Sequence, residues 1–136
     1  MAVKNRQIVS TYGTMWARNK QNVKRLEKDG KLNGVYVLCD GSMPVYVGQG
    51  RLIKRLEGHQ RSKKRGQFWD HFSWFAIPNR MFQNEIEALL LSLLPFYLRS
   101  LNRQTANLKY AQRVREANPV AELIKRPKFA FKRKRL

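Results

Sequence analysis

The middle of the chain changes its hydrophobic pattern several times, and each change predicts a different element. Two runs of β-branched and aromatic residues flank Asp40-Gly41, which is a strong signal of a β-hairpin. Apolar residues then recur at helical spacing, give way to an aromatic run, and return in a leucine-rich segment that precedes Pro95. The predicted elements are a hairpin over residues 34–48, a helix over about 51–64, a third strand over 68–77 and a second helix over about 81–94.

Basic segments flank this central region. Residues 1–33 form a predicted N-terminal extension with a helix from about Thr14 to Lys28. One interpretation is that this helix docks through Trp16 and offers basic side chains to phosphates; the other is an ordinary solvated surface helix. The basic side chains concerned are Arg18, Lys20, Lys24 and Arg25. At the other end, residues 105–124 are predicted to be partly helical and residues 125–136 to form a disordered basic tail.

The excess of positive charge indicates which class of molecule the protein binds. The chain has 28 Lys and Arg residues against 9 Asp and Glu residues, a formal net charge of +19. A surface this basic attracts polyanions, above all nucleic acid, although an anionic membrane or a ribosome would also suit it. Cys39 is the only cysteine, so an internal disulfide is excluded and a reducing cytoplasm is the expected compartment. The sequence shows no export signal and no apolar run long enough to span a membrane.

Within the predicted hairpin, two tyrosines are candidates for chemistry. If Cys39 pairs with Met43 across a three-residue loop, Tyr36 lies directly opposite Tyr46. Side chains alternate along a strand, so the two phenols share one face while the valines beside them point to the other, which we expect to be the core face. A cross-strand aromatic pair that only stabilises the hairpin is the alternative interpretation.

The helix after the hairpin brings cations to the same region. Arg55 and His59 are neighbours one turn apart, on the side away from the leucines. An arginine fork can neutralise charge that develops on a phosphoryl group, and an imidazole beside it can donate to an oxygen or relay a proton. A solvated basic face is the alternative, and His71 is interpreted as a strand residue. We expect further contacts with nucleic acid from the basic residues Arg51, Lys54, Lys63, Lys64, Arg65 and Arg103.

Glu87 interrupts the apolar face of the leucine-rich helix. On the helical wheel it is flanked by three leucines, whereas Glu85 falls on the opposite side. An ionised carboxylate in such surroundings is costly unless it is paired or binds a metal. A carboxylate that holds a hydrated Mg²⁺ or Mn²⁺ beside a substrate phosphate would explain it, because magnesium keeps several waters and needs few protein ligands. A salt bridge to a neighbouring Arg or Lys is the alternative.

Together these residues resemble the GIY-YIG nucleases. The family is named for two tripeptides, and this chain has similar ones in Gly34-Val35-Tyr36 and Tyr46-Val47-Gly48, with valine in place of isoleucine. The likeness covers residues 34–104, and its remaining members, in the family's order, are Arg55, His59, Glu87 and Asn102. It implies a small α/β (α+β) fold in which a three-stranded antiparallel sheet is flanked by helices.

The resemblance also implies a mechanism. It makes the catalytic set Tyr36, Tyr46, Arg55, His59, Glu87 and Asn102, with Glu87 as the ligand of a single Mg²⁺ or Mn²⁺ ion. A water activated by one of the tyrosines would attack the scissile phosphorus, while Arg55 stabilises the transition state and His59 contacts the phosphate or assists proton transfer. The expected activity is that of a metal-dependent endonuclease acting on nucleic acid, DNA rather than RNA, with no membrane partner.

The alternative class is a non-catalytic nucleic-acid-binding protein, such as a ribosome- or nucleoid-associated factor. The net charge and the basic tail would suffice for that role. A protein that only binds, however, has no reason to place an acid near a phosphate on a leucine face. Single-stranded substrates are favoured if Trp16, Trp69 and Trp74 stack on bases, although packing in the core explains Trp69 and Trp74 at least as well.

Overall fold

The computed structural model describes residues 7–27, 31–62, 68–94, 108, 111–115 and 117. This part of the chain contains one antiparallel sheet with the strand order β1-β4-β2-β3. The strands are β1 (Thr11–Ala17), β2 (Asn33–Asp40), β3 (Met43–Arg51) and β4 (His71–Ala76). The helices are α1 (Lys20–Lys24), which continues into a 3-10 turn (Arg25–Glu27), α2 (Leu52–Arg61) and α3 (Arg80–Leu93).

Strand β1 corrects two predictions. The helix expected from about Thr14 is a strand as far as Ala17, and the sheet therefore has four strands instead of three. Trp16 packs edge-on against Phe72 and Trp74, with ring centroids 6.0 and 5.3 Å away. Aromatic and β-branched side chains suit a half-buried strand, and β1 covers an edge of β4 that would otherwise be open. Long-range pairing has therefore decided the conformation of this segment.

The other predicted elements are confirmed, with shifts at their ends. The hairpin is β2–β3, and the helix predicted over about residues 51–64 is α2. The aromatic strand is β4, and the leucine-rich helix is α3. His71 is the first residue of β4, as expected for a strand residue. Asn79 caps α3 by accepting a hydrogen bond from the backbone N–H of Met81 at 2.8 Å. The helix ends shortly before Pro95, because the residue that precedes a proline is disfavoured in helical conformation.

The β2–β3 hairpin has a different register from the predicted one. Asp40 pairs with Met43 across a two-residue turn. Tyr36 therefore lies opposite Gly48, and Tyr46 is a diagonal neighbour of Tyr36 instead of its direct partner. The prediction that the two tyrosines are directly opposite is wrong, because it assumed a three-residue loop and a regular ladder.

A β-bulge at Val45 keeps both tyrosines on one face in spite of the changed register. Tyr46 pairs with Leu38, and Val45 is the extra residue on β3. With a two-residue turn and no bulge, Tyr46 would pair with Val37, which points to the opposite face from Tyr36. The bulge thus replaces the third loop residue that the sequence analysis assumed.

Both faces of the sheet are buried, which corrects the expectation of a single core face. We call them the α2 face and the α3 face, after the helices that cover them. The α2 face contains Val23, Leu26, Tyr36, Leu38, Val45, Leu52, Leu56, Trp69, Phe72, Trp74 and Ala76. The α3 face contains Val35, Val47, Ile77, Leu91 and Leu94. Tyr36 is only 2% exposed, and the burial of Trp69 and Trp74 removes these two rings from the candidates for base stacking.

Several predictions concern residues outside the described part of the chain. They involve Lys63, Lys64, Arg65, Asn102, Arg103 and the tail of residues 125–136. Of the segment 105–124, only residues 108, 111–115 and 117 are described, and these lie in no helix. None of the described helices combines the length and the apolar character that crossing a membrane requires.

Candidate active site

A depression on the α2 face brings together several candidate residues. It has a volume of about 830 Å³ and is lined by Tyr36, Tyr46, Arg51, Lys54, Arg55, Gly58, His59, Arg61 and Ser62. We call it the tyrosine depression. Four of these described lining residues are Lys or Arg and none is acidic. Its charge therefore suits a phosphate group, and its size is within the usual range for ligand sites.

The Tyr36 hydroxyl and the His59 imidazole form a hydrogen bond within this depression. The distance from Tyr36 Oη to His59 Nε2 is 2.8 Å, and both side chains are buried. The His59 ring also meets the Tyr46 ring edge-on at 4.9 Å, while the two tyrosine rings stack at 6.3 Å. The three rings hold one another in place, so a proton on the Tyr36 hydroxyl has an acceptor within reach.

Helix α2 presents its polar residues to the depression because its apolar side is anchored. Leu52 and Leu56 are fully buried, which fixes the rotation of the helix about its axis. Arg55 and His59, one turn apart, both line the depression as a result.

Two glycines of β3 make room for the side chains of Tyr36 and Arg55. A Cβ at Gly48 would overlap the Tyr36 hydroxyl, and a Cβ at Gly50 would lie 2.8 Å from Arg55 Nε. Gly50 also has φ of 133°, which side-chain-bearing residues rarely adopt. Glycine at both positions allows Tyr36 and Arg55 to approach the strand closely.

Glu87 reaches the same segment of β3 from the α3 face. Its Oε1 accepts a hydrogen bond of 2.7 Å from Gln49 Nε2, and the same nitrogen donates to Asn84 Oδ1 at 2.8 Å. Glu87 is 8% exposed, and it is not among the described residues that line the tyrosine depression. Two oxygen atoms therefore converge on the partly positive hydrogens of one NH₂ group, as they would on a cation.

The residues around Glu87 fit a hydrated divalent cation. Within the described ranges, no group of three or more His, Cys, Asp or Glu side chains could hold a metal. Magnesium does not need such a group, because it keeps several waters and binds through one or two carboxylates. The oxygens of Glu87 and Asn84 are hard donors, which Mg²⁺ and Mn²⁺ prefer to softer ligands.

Three polar residues of the tyrosine depression and of the Glu87 site were not predicted from the sequence. Asn84 precedes Glu87 by one helical turn, and that spacing was a signal that the two share a face. Arg61 continues the basic series of α2 by two residues beyond His59. Gln49 gave no signal, because a glutamine between two glycines is equally typical of a loop.

The structure brings Tyr36, Tyr46, Arg55 and His59 into one depression and holds Glu87 beside the adjoining segment of β3. Comparisons of the chain with models of known families, with curated proteins and with solved structures found no match. The resemblance to the GIY-YIG nucleases therefore rests on the tripeptides and on the polar residues that follow them.

Proposed function

We propose that the protein is a metal-dependent endonuclease of the GIY-YIG type that hydrolyses phosphodiester bonds in DNA. The observation that carries this proposal is the segment of residues 48–50, whose three residues adjoin Tyr36, Glu87 and Arg55 in turn. Successive strand residues are about 3.4 Å apart, so a phenol, a carboxylate and a guanidinium lie beside one short stretch of backbone. Phosphodiester hydrolysis uses these groups for proton transfer, metal binding and charge stabilisation.

Binding of the scissile phosphate is the role of the cations. Arg51, Lys54 and Arg55 line the tyrosine depression and attract the phosphate to it. The guanidinium of Arg55 then donates to the oxygens on which negative charge increases as the attacking oxygen approaches phosphorus. Tyr46 packs against Tyr36 and His59 and keeps their polar atoms in position.

Proton transfer runs through Tyr36 to His59. The Tyr36 oxygen accepts a proton from the attacking water while its own proton moves to His59 Nε2. A phenol with an ordinary pKa near 10 is a poor source of phenolate, and the relay avoids the need for one. The hydroxide attacks phosphorus, the bond to the leaving oxygen breaks, that oxygen takes a proton from solvent, and His59 returns to solvent the proton that it received. This step requires the His59 tautomer with its proton on Nδ1.

Glu87, with Asn84 beside it, would hold the Mg²⁺ or Mn²⁺ ion. When bound, such an ion neutralises charge on the reacting phosphate and lowers the pKa of a coordinated water. The burial of Glu87 supports this assignment, because a carboxylate is costly on a helix face that also buries Ala88 and Leu91.

The proposal is tested by incubating end-labelled DNA and RNA with the protein in Mg²⁺, Mn²⁺ or EDTA. We expect cleavage of DNA that EDTA abolishes, and no cleavage by Glu87→Gln. Glu85→Gln, on the same helix, is the matched control and should cleave like the wild type. Salt-dependent binding without cleavage of any substrate would instead support a non-catalytic nucleic-acid-binding protein, and cleavage of RNA alone would correct the substrate.

A further inference from the structure

A second concave region lies between α1 and α2, next to the tyrosine depression. It has a volume of about 510 Å³ and is lined by Arg18, Asn19, Lys20, Val23, Lys24, Glu57, Gln60 and Arg61. We call it the basic groove. Its described lining includes four cations against one acid, so it too has the charge that attracts phosphates.

Arg61 connects the two regions, because it lines both the basic groove and the tyrosine depression. It lies six residues after Arg55 on the same helix. At about 1.5 Å per residue, this separates the two backbone positions by roughly 9 Å along the helix axis. A strand of B-form DNA rises about 3.4 Å per nucleotide, so Arg55 and Arg61 are spaced to contact different phosphates of one strand.

The wall of the basic groove is held in position by Arg18. Its guanidinium donates to the carbonyl oxygens of Trp69 and Gln60, both at 3.2 Å, and lies over the Trp69 ring at 4.4 Å. These contacts tie the end of β1 to α2 and to the segment before β4. A groove that is already ordered loses little entropy when it binds a ligand.

Contacts within the protein change the roles expected of the basic residues at the N-terminal end of the chain, all of which were expected, in one interpretation of the sequence, to contact phosphates. Arg18 is engaged with the protein, and the guanidinium of Arg25 lies over the Trp16 ring at 4.9 Å. Lys20 and Lys24 are exposed and line the groove together with exposed Arg61. The residues available to phosphates are therefore the two lysines and Arg61.

We infer that the basic groove binds the sugar-phosphate backbone of the substrate strand, a few nucleotides from the bond that is cut in the tyrosine depression. The position relative to the cut rests on the proposed function, whereas the binding of nucleic acid in the groove does not. Arg61 contacts the nucleic-acid strand where it passes from one region to the other. Lys20 and Lys24 extend the contact onto the N-terminal segment. The contacts are with phosphates, so they are independent of base sequence.

The inference is tested by binding in EDTA, where cleavage does not interfere. The groove variant is Lys20→Gln with Lys24→Gln, and the matched control is Lys31→Gln with Arg80→Gln, which removes the same charge from exposed residues outside both regions. With a labelled DNA strand of about 30 nucleotides, the groove variant should bind about tenfold more weakly at low salt and lower the slope of log K against log salt by about 1–2. The control should change both quantities much less. Equal losses in the two variants would overturn the inference.

The length of the DNA gives a second measurement. Extending the strand from about 3 to 30 nucleotides should raise the affinity of the wild type and the control more than that of the groove variant, since a strand of about 10 Å fills only one of the two regions. Equal gains in all three proteins would also overturn the inference. If the groove variant binds DNA more weakly but the wild type cleaves no substrate, the proposed nuclease activity is refuted and the groove remains a binding surface. If the wild type cleaves DNA but the groove variant binds like the control, the nuclease activity stands and the groove is refuted.

Discussion

The two faces of the sheet carry opposite charges where they meet strand β3. On the α2 face, the tyrosine depression is lined by cations and phenols, with no acid among its described residues. On the α3 face, the Glu87 carboxylate accepts a hydrogen bond from the amide of Gln49, which also donates to Asn84. An acid inside the depression would pair with an arginine, and neither would then serve a phosphate. Strand β3, at the edge of the sheet, keeps the two apart.

The largest expected effects come from removing one charge on each face. Arg55→Ala and Glu87→Gln should each lower the rate of cleavage by about 10³-fold or more, since both groups act on the transition state in the proposed mechanism. Their binding should differ. Arg55→Ala loses a phosphate contact and binds DNA more weakly, whereas Glu87→Gln retains salt-dependent binding. Single-turnover cleavage and fluorescence anisotropy measure the two quantities. Equal loss of binding in both variants would remove the distinction between the faces.

A smaller loss is expected when the proton path on the α2 face is interrupted. Tyr36→Phe keeps the ring and its packing but deletes the hydroxyl that bonds to His59, and it should slow cleavage by about 100-fold. Tyr12→Phe is the control, because Tyr12 is 65% exposed and stacks on Phe75 away from the depression. Initial rates at saturating DNA provide the comparison. A Tyr36→Phe variant as fast as the control would transfer the role of base to Tyr46.

Two glycines should respond to alanine with opposite signs. Gly48→Ala forces a Cβ into the Tyr36 side chain, and overpacking of this kind lowers the free energy of unfolding by about 1–3 kcal/mol. Gly58→Ala meets nothing within 4 Å and lies in α2, so it should raise that free energy by about 0.5–1 kcal/mol. Urea unfolding measures both changes. A neutral Gly48→Ala would mean that Tyr36 can move away from β3 at no cost.

The smallest effect concerns Asp70, which lies directly before β4 and contacts the turn of the β2–β3 hairpin. A hydrogen bond from His71 Nδ1, at 3.0 Å, and a second from the backbone N–H of Gly41, at 2.8 Å, lower the pKa of this exposed carboxyl. The stabilisation is therefore fully present above the ordinary aspartate pKa of about 3.9 and is lost as pH falls through the lower folded-state value. Asp70→Asn should make stability depend less on pH in that acidic window, as thermal unfolding at a series of pH values would show. Identical pH profiles would contradict the assignment.

Sequence reasoning succeeded where periodicity is local. Helices α2 and α3 bury leucines at helical spacing, and a hairpin around Asp40-Gly41 follows from turn chemistry alone. Strand β1 could not be recognised in this way, because its conformation depends on pairing with β4, more than fifty residues later in the chain.

The candidate site divides in the same way. Arg55 and His59 could be paired from helix geometry, and Glu87 could be selected because a carboxylate is unexpected among leucines. The hydrogen-bond partner of Glu87 could not be predicted, since Gln49 contacts Glu87 only after α3 has packed onto the sheet. The link through Arg61 to the basic groove was equally out of reach, because α1 and α2 come together only in the folded protein.

The bulge at Val45 also has a consequence for how the length of this hairpin can vary in evolution. A chain that lacked Val45 would form a regular ladder in which Tyr46 still pairs with Leu38, at the cost of one buried valine. One residue added to the turn, with the bulge retained, could be absorbed by widening the loop. Moving the ladder by one residue could not, because it would turn Tyr46 to the α3 face. Insertions and deletions between the two tyrosines should therefore be tolerated only where they leave Tyr36 and Tyr46 on the same side of the sheet.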